Sequence, residues 1–204
     1  MFLSFTLFIL RVVQPVWHGI AIPVPYYVTI QSISMLLIAL VMGRRPSKRE
    51  TPVHAGILAA NQFLFAIIII TGAYFLMTEI IDFSLVSPMQ LSPLTIMPIY
   101  VLIALAELLL SPVGLSTVTV LSSRHKVSTM MGVFFVSLGV GGFLSGKLAA
   151  LTAIPNGDNQ TLVALKLAYS ASFHRLFVIL CVILGVTVVI NYIIRTLCRS
   201  PHPA

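Results

Sequence analysis

Along most of the chain, apolar residues follow one another without interruption, and polar or charged residues gather in the short gaps between these runs. A stripe every 3.6 residues or an alternation by two would mark an element half-buried in a water-soluble core. A run that is apolar on every side marks a helix surrounded by lipid. About 20 such residues are needed to cross a bilayer. Five runs reach that length, near 20–42, 53–78, 93–121, 127–151 and 172–197, and predict five full transmembrane helices in a single membrane domain spanning 1–204. A sixth run, 1–14, is short: its roughly ten apolar residues rise only about 15 Å, half of a hydrocarbon core about 30 Å thick. It predicts a partial helix, the outer half of one whose beginning precedes Met1. The alternative is a short helix lying on the membrane surface.

The gaps divide by charge. "GRRPSKRE" (43–50) and "SSRHK" (122–126) are basic, as is the tail with Arg195 and Arg199. "TEIIDFSLVSPMQ" (78–90) carries only acidic charge, and "IPNGDNQTLVALK" (154–166) balances one Asp with one Lys. The two kinds alternate along the chain. Because basic loops stay on the cytoplasmic side, 43–50, 122–126 and the C-terminus are expected inside, with 79–90 and 154–168 outside. This describes a multi-pass protein of an inner or plasma membrane.

Composition agrees. The chain is 58% hydrophobic and 8% charged, with a mean hydropathy of +1.06, where soluble domains carry about 25% charged residues. Its net charge of +7 would suggest nucleic acid in a soluble protein. Here the basic residues sit between membrane runs, so the implied partner is the anionic lipid bilayer and not nucleic acid. The two cysteines, Cys181 in an apolar run and Cys198 near the basic tail, form no disulfide framework. "MFLSFTLFIL" has neither the basic start nor the small-residue cleavage site of a signal peptide. The five histidines show no metal-ligand spacing, and no Ser/His/Asp or Cys pair suggests covalent catalysis. No cofactor, metal site or enzymatic activity is expected.

One residue breaks the pattern. Glu107 lies fifteenth in the 29-residue run 93–121, near the bilayer midplane, in "AELLLSPVGLS". An ionised carboxylate in hydrocarbon is costly unless paired, protonated or wetted, so it has either a partner or a use. Pro112, with Ser111 and Gly114 beside it, is expected to kink or loosen the helix below it. A kinked helix with a midplane carboxylate is a way to build a transport site; a Glu tied structurally to a Lys or Arg of a neighbouring helix is the plainer reading. Gln31, Ser32 and Ser34 could line the same cavity, although serine hydroxyls commonly bond back to their own helix. Asn61 and Gln62 suit hydrogen bonds between helices, Lys147 and Arg175 suit snorkelling at helix ends, and "GVGGFLSG" (139–146) suits close helix packing.

The stretch "AELLLSPVGLSTVTVLS" (106–122) resembles the tenth helix of the proton-dependent oligopeptide transporters of the major facilitator superfamily. "SFTLFILR" (4–11) resembles the end of the seventh helix, "IP" (22–23) with "QSIS" (31–34) the eighth, "MMGVFF" (130–135) the eleventh and "YSASF" (169–173) the entry to the twelfth. The resemblance covers essentially the whole chain. It implies an all-α integral membrane fold: the C-terminal six-helix bundle of a major facilitator fold, its first helix truncated. It also implies half of a symporter of protons with di- and tripeptides, in which Glu107 faces a central cavity and holds the peptide's amino terminus. The substrate-binding residues it implies are Glu107, Gln31, Ser34, Ser111 and Phe134.

Several positions depart from that pattern. Ser34 and Met35 stand where the family usually has Asn-Pro, and Phe134 where it usually has Trp, which keeps an apolar gate without the indole donor. The E-x-x-E-R-F motif of the first helix has no counterpart, and the acidic position of the seventh would precede Met1. The reading is therefore a truncated or split C-terminal half, inactive alone, whose partners would be protons, small peptides and a separate N-terminal half. Two alternatives stay open: a small multi-pass partner or scaffold protein, and half of a major facilitator transporter for another solute.

Overall fold

Three of the six helices among the described residues begin on proline: α2 at Pro25, α3 at Pro52 and α4 at Pro93. Proline's fixed φ suits the first helical turn, where its missing N–H is not needed. A computed structural model describes residues 2–17, 19–43, 52–85, 89–123, 125–151 and 161–199. The basic loop from 44 to 50, Arg124, the loop from 152 to 160 and the tail from 200 lie outside the described residues, and the expectations placed on them stay with the sequence. The elements run α1 (Phe2–Val12), β1 (Val16–Trp17), β2 (Ile20–Ala21), α2 (Pro25–Gly43), α3 (Pro52–Ser84), α4 (Pro93–Leu121), α5 (Val127–Leu151) and α6 (Leu162–Arg199). Five of the helices, α2 to α6, are long and apolar enough to cross a membrane.

α3 packs against both α4 and α6, α2 and α5 pack on α4, and α1 leans on α6. Phe5, Phe8, Ile9 and Val12, spaced to share one helical face, are at most 3% exposed. Phe5 sits 5.5 Å from the Tyr74 ring, 6.0 Å from Tyr100 and 5.2 Å from Phe173, so α1 plugs into rings offered by α3, α4 and α6. That burial ties one face of α1 to the bundle. Between α1 and α2 the chain forms a small antiparallel hairpin, pairing Val16 with Ala21 and Trp17 with Ile20, and Gly19 supplies the left-handed φ of 81° its turn requires.

Both ends of the bundle are tied by polar contacts. At one end Gln14 N–H donates to the Leu91 carbonyl at 3.0 Å, and Leu91 N–H to that of Val12 at 3.0 Å. There Lys166, fully buried, donates from Nζ to the carbonyls of Ser84 at 2.8 Å and Met89 at 2.7 Å, and Ser170 donates to Asp82. At the other end Arg195 donates from Nε to Asn191 at 3.1 Å and from its guanidinium to Asn61, while Asn191 donates to Asn61 at 3.3 Å, joining α6 to α3.

Several expectations change. α3 continues to Ser84 and α6 begins at Leu162, so the gaps at 78–90 and 154–168 are shorter than the charge pattern implied. The reason is that Asp82, Lys166 and Ser170 bond to one another's helices and need no loop to reach water. The first full helix starts at Pro25, not 20, because the hairpin occupies 16–21. α4 is helical through position 112, and the kink expected there stays with the sequence. The small-residue run 139–146 makes no close packing: a methyl group added at Gly139, Gly141, Gly142 or Gly146 would meet nothing within 4 Å. α5 approaches the bundle through Phe134 instead.

Candidate functional site

α2 and α4 both start from the end of the bundle where Leu91 and Lys166 sit, so they run parallel, and each presents one polar stripe to the other. On α4, Tyr100, Glu107 and Gly114 are seven residues apart, close to two turns, and fall nearly in line. On α2, Tyr27 and Gln31 are one turn apart on one face. The stripes meet in register. The Tyr27 and Tyr100 rings lie 5.6 Å apart, and below them Gln31 Nε2 donates to Glu107 Oε2 at 2.8 Å. Tyr27 is fully buried, Gln31 is 5% exposed, and Glu107 is half-buried.

The partner of Glu107 bears on the two readings of a midplane carboxylate. Among the described residues no Lys or Arg pairs with it; its hydrogen-bond partner is the neutral Gln31 amide. That single hydrogen bond fixes one carboxyl oxygen and leaves the other acceptor positions of Glu107 open to a further donor.

One helical stretch further along, Gly114 takes the edge of the Phe134 ring from α5. A Cβ at that position would lie 3.1 Å from Phe134 Cζ and 3.4 Å from Phe63 Cζ of α3. Phe134 also lines a cleft of about 490 Å³ between α4 and α5, together with Thr117, Ser122, Lys126 and Ser137. The ring thus stands between the Glu107 stripe and that cleft. A second cleft, about 790 Å³, opens between α1 and the start of α2, lined by Ile9, Leu10, Val13, Ile22 and Val28, and carries no charged group.

Of the expected site residues, the structure brings Gln31 to Glu107 and places Phe134 against Gly114 on the same face of α4. Ser34, half-buried, and Ser111, exposed, make no hydrogen bond to Glu107 among the described residues. Ser32 bonds back to the Val28 carbonyl at 3.0 Å, the structural role open to a helix serine. Tyr27 was not singled out by sequence. Its signal was the spacing Y-x-x-x-Q, which puts ring and amide on one face of α2.

The described chain is a mainly helical bundle with five helices long and apolar enough to cross a membrane and a half-buried carboxylate, Glu107, on α4. A model of the POT family matches residues 4–164, and the chain belongs to that family. Among curated proteins it is similar to dipeptide and tripeptide permease B of Salmonella typhimurium, 32% identical over 108 residues, covering 53% of this chain and 21% of that protein. It is also similar to dipeptide and tripeptide permease A of Chromobacterium violaceum, 30% identical over 105 residues, covering 52% of this chain and 21% of that protein. A solved chain from "Structural insights into substrate recognition in proton dependent oligopeptide transporters" superposes with a TM-score of 0.72 at 23% identity, over 95% of this chain and 39% of that one. The bundle therefore has the major-facilitator-type fold of these transporters, and the matched region is about a fifth of the length of the curated relatives.

Proposed function

We propose that this chain supplies the C-terminal bundle of a proton-coupled symporter of di- and tripeptides, with Glu107 as the group that receives the peptide's amino terminus. The observation that carries the reading is the Glu107 carboxylate, half-buried at the middle of α4 and held by a neutral amide instead of a cation. Such a group can hold an ammonium or a proton, and exchange between the two is a means of coupling them. Gln31 aims the carboxylate, Ser34 and Ser111 line the approach, and Phe134 forms an apolar barrier toward the α4–α5 cleft. The permease relatives support a peptide over another solute, and over a purely structural partner. Cargo passes unaltered, so no catalysis is assigned. A complementary N-terminal half would complete the site, since alternating access needs two bundles rocking about it.

The experiment is uptake by this chain co-reconstituted with the N-terminal half of a related permease. Glu107→Gln keeps size and hydrogen-bonding capacity but carries no charge. It should abolish proton-driven uptake while leaving membrane insertion intact. A desolvated charge-assisted bond is worth roughly 1.5–3 kcal/mol, so binding of a free-amine dipeptide should weaken by about one to two orders of magnitude, and binding of an N-acetylated one far less. Equal loss for both peptides would mark Glu107 as structural, and unchanged uptake would remove it from the mechanism.

A further inference from the structure

Two polar atoms on the α2 stripe have no hydrogen-bond partner among the described residues although both are buried: Tyr27 Oη and Gln31 Oε1. They are not scattered. They belong to side chains one turn apart on a single helix face, both turned into the seam with α4. Their chemistry is complementary, because a phenol donates and an amide oxygen accepts, yet they are not bonded to each other. The Gln31 amide cannot turn to relieve this: reversing it would set its oxygen against the Glu107 carboxylate, acceptor facing acceptor. Two buried polar groups in a low-dielectric seam, one needing an acceptor and the other a donor, are the pair of partners an internal water would bridge.

We propose that the α2–α4 seam holds a buried water that accepts from Tyr27 Oη–H and donates to Gln31 Oε1, and that this water makes Gln31 the positioning residue of Glu107. The bridge fixes the amide oxygen on the Tyr27 side and so fixes Nε2 on the Glu107 side. Tyr27 thereby acts on the carboxylate without touching it. The positioning role deepens the reading of Glu107 as the ammonium acceptor and rests on it; the water itself does not.

The test is infrared difference spectroscopy on the full chain in phosphatidylcholine nanodiscs. Exchange into oxygen-18 water should shift a sharp O–H stretching band of a sequestered water, and that band should be absent from both Tyr27→Phe and Gln31→Leu. The Glu107 carboxylate stretch, assigned by its loss in Glu107→Gln, should shift in Gln31→Leu and, by a smaller amount in the same direction, in Tyr27→Phe. Ser32→Ala, whose hydroxyl bonds within its own helix, should change neither band. If no isotope-sensitive band exists in the parent chain, or it survives both substitutions, the water is not there. A carboxylate stretch that stays in place in Tyr27→Phe overturns the positioning role. Should one variant fail to insert, the parent isotope exchange and the other variant still decide. None of these readouts needs transport, so a failed uptake assay would remove the peptide reading and leave this one standing.

Discussion

At Gly114 the absence of a side chain is a packing requirement. A methyl there would stand 3.1 and 3.2 Å from Phe134 Cζ and Cε2, and 3.4 Å from Phe63 Cζ. Phe134 belongs to α5, none of whose described residues is buried, so its ring can yield by a few tenths of an ångström where a core ring could not. Gly114→Ala should therefore be tolerated, and Gly114→Leu should cost about 1–3 kcal/mol by overpacking. Because the two tightest contacts are both to the Phe134 ring, with Phe63 at ordinary contact distance, Phe134→Ala should recover most of the loss in the double variant. A double-mutant cycle on detergent unfolding midpoints checks this; additive effects would show that Gly114 and Phe134 do not meet. How far the site could be read in advance follows from the same residues. Glu107 stands out as a charge in an apolar run, and Gln31 as one of three polar residues, with Ser32 and Ser34, inside the first full helix. Tyr27 and Gly114 do not, because a tyrosine or a glycine in a membrane helix is ordinary until the facing helix is known. Ser34 and Ser111 were drawn in by resemblance and depth, and depth does not fix which way a side chain faces.

The helices themselves were legible because about 20 lipid-facing residues must be apolar whatever they pack against. Their ends were not. α6 begins before its expected start because Lys166 reads as loop, yet Lys166 is fully buried and caps the last turn of α3 through the Ser84 carbonyl. Removing that ammonium should loosen two elements at once. Lys166→Met keeps the apolar stem but leaves the Ser84 and Met89 carbonyls without their donor, a loss of roughly 1.5–3 kcal/mol for hydrogen bonds from a charged group. Amide hydrogen exchange should quicken in 162–171 and in 80–85 together, with 98–110 unchanged. Faster exchange in α6 alone would mean that the lysine does not join the two helices. α1 shows the opposite limit. Its Phe5, Phe8, Ile9, Val12 stripe was present in the sequence, but ten apolar residues fit a surface helix equally well until Tyr74, Tyr100 and Phe173 were seen to close over it.

Across the whole molecule the charge alternation predicts an orientation, with Ser123, beside the basic turn, expected on the cytoplasmic side and Met89 on the opposite side. In a chain with Cys181 and Cys198 replaced by serine, a membrane-impermeant maleimide should label Met89→Cys in intact cells and reach Ser123→Cys only after lysis; the reverse pattern would invert the bundle. The last expectation concerns what these 204 residues do when expressed by themselves. On the proposed reading Glu107 takes the ammonium end of a peptide, and the group for the carboxylate end would come from the complementary bundle. The solved transporter it resembles is matched over only 39% of its length, and rocking a site open to alternate sides requires a second bundle to rock against. Binding one end of a zwitterion at a half-open face leaves the other charge to water, so proteoliposomes holding this chain alone should show no proton-driven dipeptide accumulation above empty vesicles. Adding a complementary N-terminal half should restore uptake that Glu107→Gln removes. Robust accumulation by the isolated chain would overturn the half-transporter reading and point to two copies meeting through the Glu107 face. That geometry would place two like carboxylates across one cavity, and uptake would then depend steeply on how much of the chain each vesicle holds.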